Sequence, residues 1–216
     1  MSSSRYPPEA DRPSVDEMLR ESDDFFQERG PVHRTLRNLA KRLDGEPIPY
    51  AVLDGMALYL LGYKRFTTDV DLLMTPAGLE RFRDRLVGRG YTSGFPGALR
   101  TFRDPQTGVK IDVITSGEYP GDGKPKSVSF PDPEVAAVEL WGVRVIALEN
   151  LIELKLASGL SSPQRVHIEL ADVQRLIEEI GLPLDLAEKL DPSVRSEYRH
   201  LWELAQRRGE GPHERE

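Results

Sequence analysis

The sequence predicts an α+β fold: a mixed β-sheet flanked by helices, with N-terminal helices and a helical C-terminal part. Three observations predict it. Helix-period apolar stripes occupy the chain before Pro47 and again after Leu148. Between them lie short alternating or apolar runs of strand length, separated by Gly- and Pro-rich breaks. No repeat or strict strand–helix alternation suggests a solenoid or a parallel wound sheet.

Residues 1–13 hold Ser, Pro and charge, the composition of a loose tail. Ser14 is placed to cap a first helix to about Arg29, with Asp16 and Glu17 in its first turn. Gly30-Pro31 interrupts it, and a second helix follows from about Val32 to Leu43, its stripe carried by Leu36, Leu39 and Ala40. Pro47 to Leu53 reads as entry into a buried strand. Gly55 to Leu61 reads as a short apolar helix ending at Gly62. Thr68 to Met74 alternates as a strand, and Pro76 opens a helix to about Gly88. Strands are expected at Tyr91–Ser93, Leu99–Arg103, Val109–Thr115 and Arg144–Ala147. Gly117–Lys126, with three Gly and two Pro, is a loop. Helices are expected at Glu149–Ser158, Gln164–Ile180 and Ser193–Arg208, with the charged end from Arg207 frayed. The segments are therefore a tail at 1–13, an α+β domain with N-terminal helices at 14–147, a helical part at 148–208 and a tail at 209–216.

The 216 residues carry 29 Lys and Arg against 36 Asp and Glu, a net charge of −7, and no Cys. Without Cys, disulfide scaffolds, thiolate metal sites and cysteine nucleophiles are excluded. A chain of this length buries about 70% of its unfolded surface and needs no staple. No apolar run approaches the roughly 18 residues of a membrane span, and the N-terminus does not read as a signal peptide, so a cytoplasmic location without membrane contact is expected. The acidic balance argues against non-specific coating of nucleic acid but leaves room for a local basic site. Residues 61–130 hold eleven basic and eight acidic side chains, so a polyanionic acceptor stays open. Arg81, Arg85 and Arg89, at i, i+4 and i+8, read most simply as a solvated helix face.

The chemistry concentrates at Asp69-Val-Asp71. On a strand, i and i+2 share a face and lie roughly 6.6 Å apart. Asp69, Asp71 and Leu73 then face one way, and Val70, Leu72 and Met74 the other, into the core. Two side-by-side carboxylates repel unless a cation lies between them. Mg²⁺ takes such carboxylates together with substrate phosphates. Asp112, in the otherwise apolar run Val109 to Ile114, is costly without a partner. If its strand lies beside the first, it completes a metal site. Asp-x-Asp alone is a weak motif, since most examples sit at exposed strand ends or turns. Upstream, Leu53 to Asp71 runs strand, glycine, short helix, loop and carboxylate strand, and Gly55 would let backbone approach a phosphate closely.

This stretch resembles the nucleotidyltransferase superfamily with the DNA polymerase β-like palm, and most of all its small bacterial toxin-type and abortive-infection members. Their pattern runs hydrophobic, Gly, Gly or Ser, x, Ala, then His-Gly, then Arg-x-Thr-x-Asp-x-Asp. Here it stands as Leu53-Asp54-Gly55-Met56-Ala57, Leu61-Gly62 and Arg65-Phe-Thr67-Thr-Asp69-Val-Asp71. Asp112 matches the third family acid, Lys155 a downstream lysine, and Glu169-Leu-Ala-Asp172-Val a following helix motif; the likeness spans roughly 48–180. It implies transfer of a nucleoside monophosphate from a nucleoside triphosphate such as ATP to a hydroxyl of RNA or tRNA, a protein or a small molecule. It implies two Mg²⁺ ions on Asp69, Asp71 and Asp112, the three catalytic carboxylates. Nucleotide contacts fall to Gly55, Met56, Arg65, Thr67 and Lys155, and a cognate antitoxin is an implied partner. Read on their own, Arg65 is equally a solvated loop residue, Lys155 a snorkelling helix residue, and Thr67 a local backbone partner. Two departures stand out: Asp54 replaces the first motif glycine, and Leu61 a common His. Asp54 reads first as a helix cap. It also leaves a second function class open, a catalytically degenerate member that binds nucleotide or a partner protein.

Overall fold

A computed structural model describes residues 15–209 of the chain. The expected cap Ser14, the tail at 1–13 and residues 210–216 of the C-terminal tail lie outside those residues, while Gly209 closes the last helix. Helix α1 (Val15–Phe26) ends three residues earlier than the pattern predicts, and α2 (Pro31–Gly45) packs its stripe of Leu36, Leu39 and Leu43 into the core. Then come β1 (Tyr50–Leu53), α3 (Asp54–Leu60), β2 (Asp69–Met74) and α4 (Pro76–Leu86). The Thr75 hydroxyl caps α4 by accepting from the Gly78 N–H. Strands β3 (Thr92–Ser93), β4 (Thr101–Arg103) and β5 (Lys110–Thr115) follow.

The chain continues through a four-residue helix α5 (Pro133–Ala136), β6 (Ala137–Leu140) and β7 (Val143–Ile146). The sequence pattern did not predict α5 or β6. Strand β6 is an edge strand with one neighbour and two exposed residues, so its apolar alternation is faint. The C-terminal part is α6 (Leu148–Ser161), α7 (Val166–Ile180), a 3-10 helix at Leu184–Lys189, and α8 (Arg195–Gly209). Helix α8 continues two residues past Arg207, where fraying was expected.

The seven strands form one mixed sheet in the order β3-β4-β5-β2-β1-β7-β6. Two pairings position the chemistry. Strand β2 runs antiparallel to β1, with Leu53 opposite Asp71, and parallel to β5, with Asp71 opposite Asp112. On β5, Ile111, Val113 and Thr115 are buried while Lys110, Asp112 and Ile114 are half-buried, as the alternation predicts. Phe82 of α4 packs on Phe102, the partner of Ile111, so α4 covers the apolar face. Leu151 and Leu154 of α6 share a cleft with Leu53 and Ile114, so α6 roofs the face that carries the acids. No described helix is long and apolar enough to cross a membrane.

Candidate active site

Asp69 and Asp71 come from β2 and Asp112 from β5. Each contributes a carboxylate oxygen to a group lying within 4.8 Å of one another. The parallel register brings this about, because opposed residues on neighbouring strands present side chains to the same face. Burial comes first in pushing the Asp71 carboxyl up to about 8; repulsion from Asp54, Asp69 and Asp112 adds to it, and Lys110 partly offsets it. The cluster thus holds negative charge that this chain only partly balances.

Three hydrogen bonds orient it. Thr67 donates to Asp69 Oδ1 at 2.8 Å, Thr101 to Asp112 Oδ1 at 2.7 Å, and the Lys110 ammonium lies 2.7 Å from Asp112 Oδ2. Thr67 therefore serves a carboxylate rather than the local backbone group that was expected. Its position explains Gly55. A Cβ at residue 55 would lie 2.7 Å from the Thr67 hydroxyl oxygen and 2.8 Å from its Cβ. Gly55 and Met56 are both buried at the start of α3, directly after the β1 residue that opposes Asp71.

A second triad of carboxylates, Asp54, Glu169 and Asp172, also converges within 4.8 Å. Its cation is built in. Lys155, only 4% exposed, donates to Asp54 Oδ1, Glu169 Oε2 and Asp172 Oδ2, each at 2.8 Å. Arg65 grips both oxygens of Asp172 at 2.7 and 2.9 Å, and Arg165 lies 2.8 Å from Glu169. Burial alone would strip the Lys155 charge, but Asp54, Glu169 and Asp172 hold its pKa above the ordinary range. Burial likewise pushes Asp54 up, yet Lys155, with help from Arg65 and Arg165, keeps it below the usual carboxylate range.

Asp54 makes no capping bond; the expected cap is replaced by the ion pair to Lys155. Its backbone is left-handed, φ +46°, a region Asp tolerates better than most residues. Arg65 and Lys155 are thus drawn to carboxylates, not left as free cations, and stand beside the Asp69–Asp71–Asp112 group rather than in it.

The cleft between the acid face and α6 is lined by Leu53, Asp54, Tyr119, Phe130, Leu154 and Lys155, among others. The loop after β5 closes its side. Gly121, at φ +76°, sits so near α6 that a Cβ would lie 2.2 Å from Ser161 Oγ and 2.8 Å from the Ser158 carbonyl oxygen.

No family model matches the chain, and no curated protein matches it. Solved structures do. One is an antigenic nucleotidyltransferase-like protein from Paracoccidioides brasiliensis, 18% identical over 82% of this chain and 88% of that one, TM-score 0.48. Another is ANT(2'')-Ia in complex with adenylyl-2''-tobramycin, 17% identical over 73% and 91%, TM-score 0.45. A third is JHP933 from Helicobacter pylori, 17% identical over 92% and 95%, TM-score 0.43. These likenesses are distant.

The residues present fit a hard divalent cation. The donors of the first triad are all carboxylate oxygens, burial and then repulsion from Asp54 and its two triad partners raise Asp71, and the Lys110 ammonium already stands in as a positive charge between Asp112 and Asp69, 3.8 Å from the latter. Lys110 is partly exposed on a flexible stem. Sequence reasoning missed Lys110 and Thr101 as partners of Asp112. Alternation alone puts Lys110 on the Asp112 face; Thr101 depends on strand register, for which the sequence holds no local signal.

Proposed function

We propose that this chain is a Mg²⁺-dependent nucleotidyltransferase that moves a nucleoside monophosphate from a nucleoside triphosphate to a hydroxyl acceptor. The observation that carries the reading is the convergence of Asp69, Asp71 and Asp112 from two paired strands beside a cleft. In the reaction the acceptor oxygen bonds to the α-phosphorus, the bond from that phosphorus to the β-bridging oxygen breaks, pyrophosphate departs, and the hydroxyl proton passes to a carboxylate. Asp69, Asp71 and Asp112 would hold two Mg²⁺ ions, whose charge offsets that of the triphosphate and the departing pyrophosphate. Asp112 is the carboxylate assigned to orient the acceptor hydroxyl and take its proton. Thr67 and Thr101 keep Asp69 and Asp112 in place. The backbone at Gly55 and Met56 and the cleft walls receive the nucleotide. Arg65 and Lys155 act mainly through Asp54, Glu169 and Asp172, since a phosphate would have to compete with those carboxylates for them.

A second reading, nucleotide or partner binding without turnover, is favoured by Asp54 and by the Lys110 ammonium among the acids. Roles for ATP as donor and for a cognate antitoxin rest on the sequence resemblance. Incubating the purified protein with each α-labelled nucleoside triphosphate, Mg²⁺, total tRNA and cell extract separates the readings. Transfer of label with pyrophosphate release, abolished in Asp69→Ala and Asp71→Ala, supports the enzyme. Calorimetric nucleotide binding with no labelled product supports the binding module.

A further inference from the structure

The back of the sheet, away from the acids, carries a second feature. Arg34, Arg37, Lys41 and Arg42 recur at i, i+3, i+7 and i+8 on the side of α2 opposite its buried leucines, and all four are exposed. Arg81 and Arg85 of α4, also exposed, continue the row with Arg89 just beyond that helix. Two contacts join the rows: Arg81 donates to the Pro47 carbonyl at 3.3 Å, and Arg42 to the Arg89 carbonyl at 2.9 Å.

Among the described residues, none of these seven cations is ion-paired with a carboxylate. This is notable in a chain with 36 acids and a net charge of −7. Two of the nearby acids are engaged elsewhere, and Glu46, Glu80 and Asp84 make no ion pair with these cations. Asp44 lies 3.8 Å from Arg144, and Asp104 is buried and accepts from Thr35 at 2.9 Å. Glu80 and Asp84 lie further round α4, on its exposed side. A row of seven exposed cations without carboxylate partners is attractive to a polyanion.

We propose that this α2–α4 face is a docking surface for the phosphate backbone of RNA; naming that RNA as the acceptor rests on the nucleotidyl-transfer reading above. Three features favour RNA. Cations on successive helical turns recur about every 5.4 Å, which suits a chain of regularly spaced phosphates. A cleft at the joint, lined by Asn38, Lys41, Arg42 and Gln106 over the buried Tyr91 and Asp104, offers Asn38 and Gln106 to sugars and bases. The helix is tied to an acid-bearing strand: Thr35, on the buried side of α2, meets Thr107 at 2.6 Å, and the loop holding Thr107 leads into β5 at Lys110, which pairs with Asp69. A membrane-surface helix would set apolar side chains among its cations, and the exposed face of α2 has none.

The test is fluorescence anisotropy of a fluorescein-labelled RNA hairpin with a single-stranded 3′ tail, across a salt series, in EDTA and without nucleotide. Wild type and Asp71→Ala should bind alike. The triple variant Arg37→Ala/Lys41→Ala/Arg85→Ala, matched in melting temperature, should bind at least about tenfold more weakly, its log K against log salt slope shallower by about 2. The corresponding Arg37→Lys/Lys41→Arg/Arg85→Lys variant should retain binding. Equal binding by wild type and the alanine variant would overturn the proposal. So would absence of wild-type binding, equal affinity for the DNA hairpin of the same sequence, or capture by phosphatidylserine vesicles in preference to RNA. RNA binding through this face with no Mg²⁺-dependent labelling leaves the docking surface standing and removes only the transfer reading.

Discussion

Asp71 is half-buried, which raises its carboxyl most, and it is pressed further by Asp54 from the adjoining helix and by Asp69 and Asp112 within its own cluster. With its carboxyl at about 8, the folded metal-free protein holds a proton there that the unfolded chain has lost above the ordinary carboxylate range. The folded state binds more protons between those limits, so the contribution of Asp71 to stability is fullest below about pH 4 and is lost as pH rises through about 8. Thermal melts in EDTA should therefore show a falling contribution from Asp71 across that range, absent in Asp71→Asn; a variant whose melts track wild type at every pH would contradict this. Lys155 poses the complementary case. It is a buried charge whose removal strands Asp54, Glu169 and Asp172. Lys155→Met should cost about 3–5 kcal/mol in urea unfolding, the usual penalty for leaving buried charge unpaired. A loss below about 1 kcal/mol, the range of surface pairs, would show that water or Arg65 and Arg165 suffice.

Between elements, the loop from Gly117 to Lys126 and helix α6 make the cleft. Lys126 fastens the loop, donating to the Pro120 carbonyl at 2.6 Å and to Ser161 Oγ at 2.9 Å. Gly121→Ala would force both a left-handed alanine and a clash with α6, lifting the loop from the helix. Nucleotide affinity measured by calorimetry should drop about tenfold, roughly 1.4 kcal/mol; unchanged affinity would remove the cleft from the binding reading. This scale also shows what the sequence makes legible. Strands β2 and β5 announce themselves because Asp, Lys and apolar residues alternate with period two, and α2 because its leucines recur on one side. That Asp71 lies opposite Asp112 is not visible, since alternation selects a face and not a register. The Lys155 cage is hidden for a similar reason: Asp54 is 101 residues away, and only the packing of α6 on α7 and the reach of Lys155 to the start of α3 bring the groups together. Edge strand β6 is faint because solvent covers one side of it.

Across the whole molecule, the 14–147 and 148–208 segments share one hydrophobic cluster, in which Val52, Leu72 and Val145 of the sheet join Ile152, Leu156 and Val173 of the C-terminal helices. The helices also supply the roof of the acid face and the cation of the second triad. We expect a chain ending at Ala147 to lose cooperative unfolding and near-ultraviolet circular dichroism; a sharp melt would mark the segments as independent. The assembled molecule thus gathers three acids on two neighbouring inner strands of a roofed sheet face, and on this the functional account depends. Electron paramagnetic resonance of Mn²⁺ titrated into wild type, Asp69→Ala, Asp71→Ala and Asp112→Ala is the direct measurement. Saturable Mn²⁺ binding in wild type, competed by Mg²⁺ and weakened at least about tenfold in each variant, is the predicted result. Binding that is absent from wild type, or undiminished in all three variants, would contradict it.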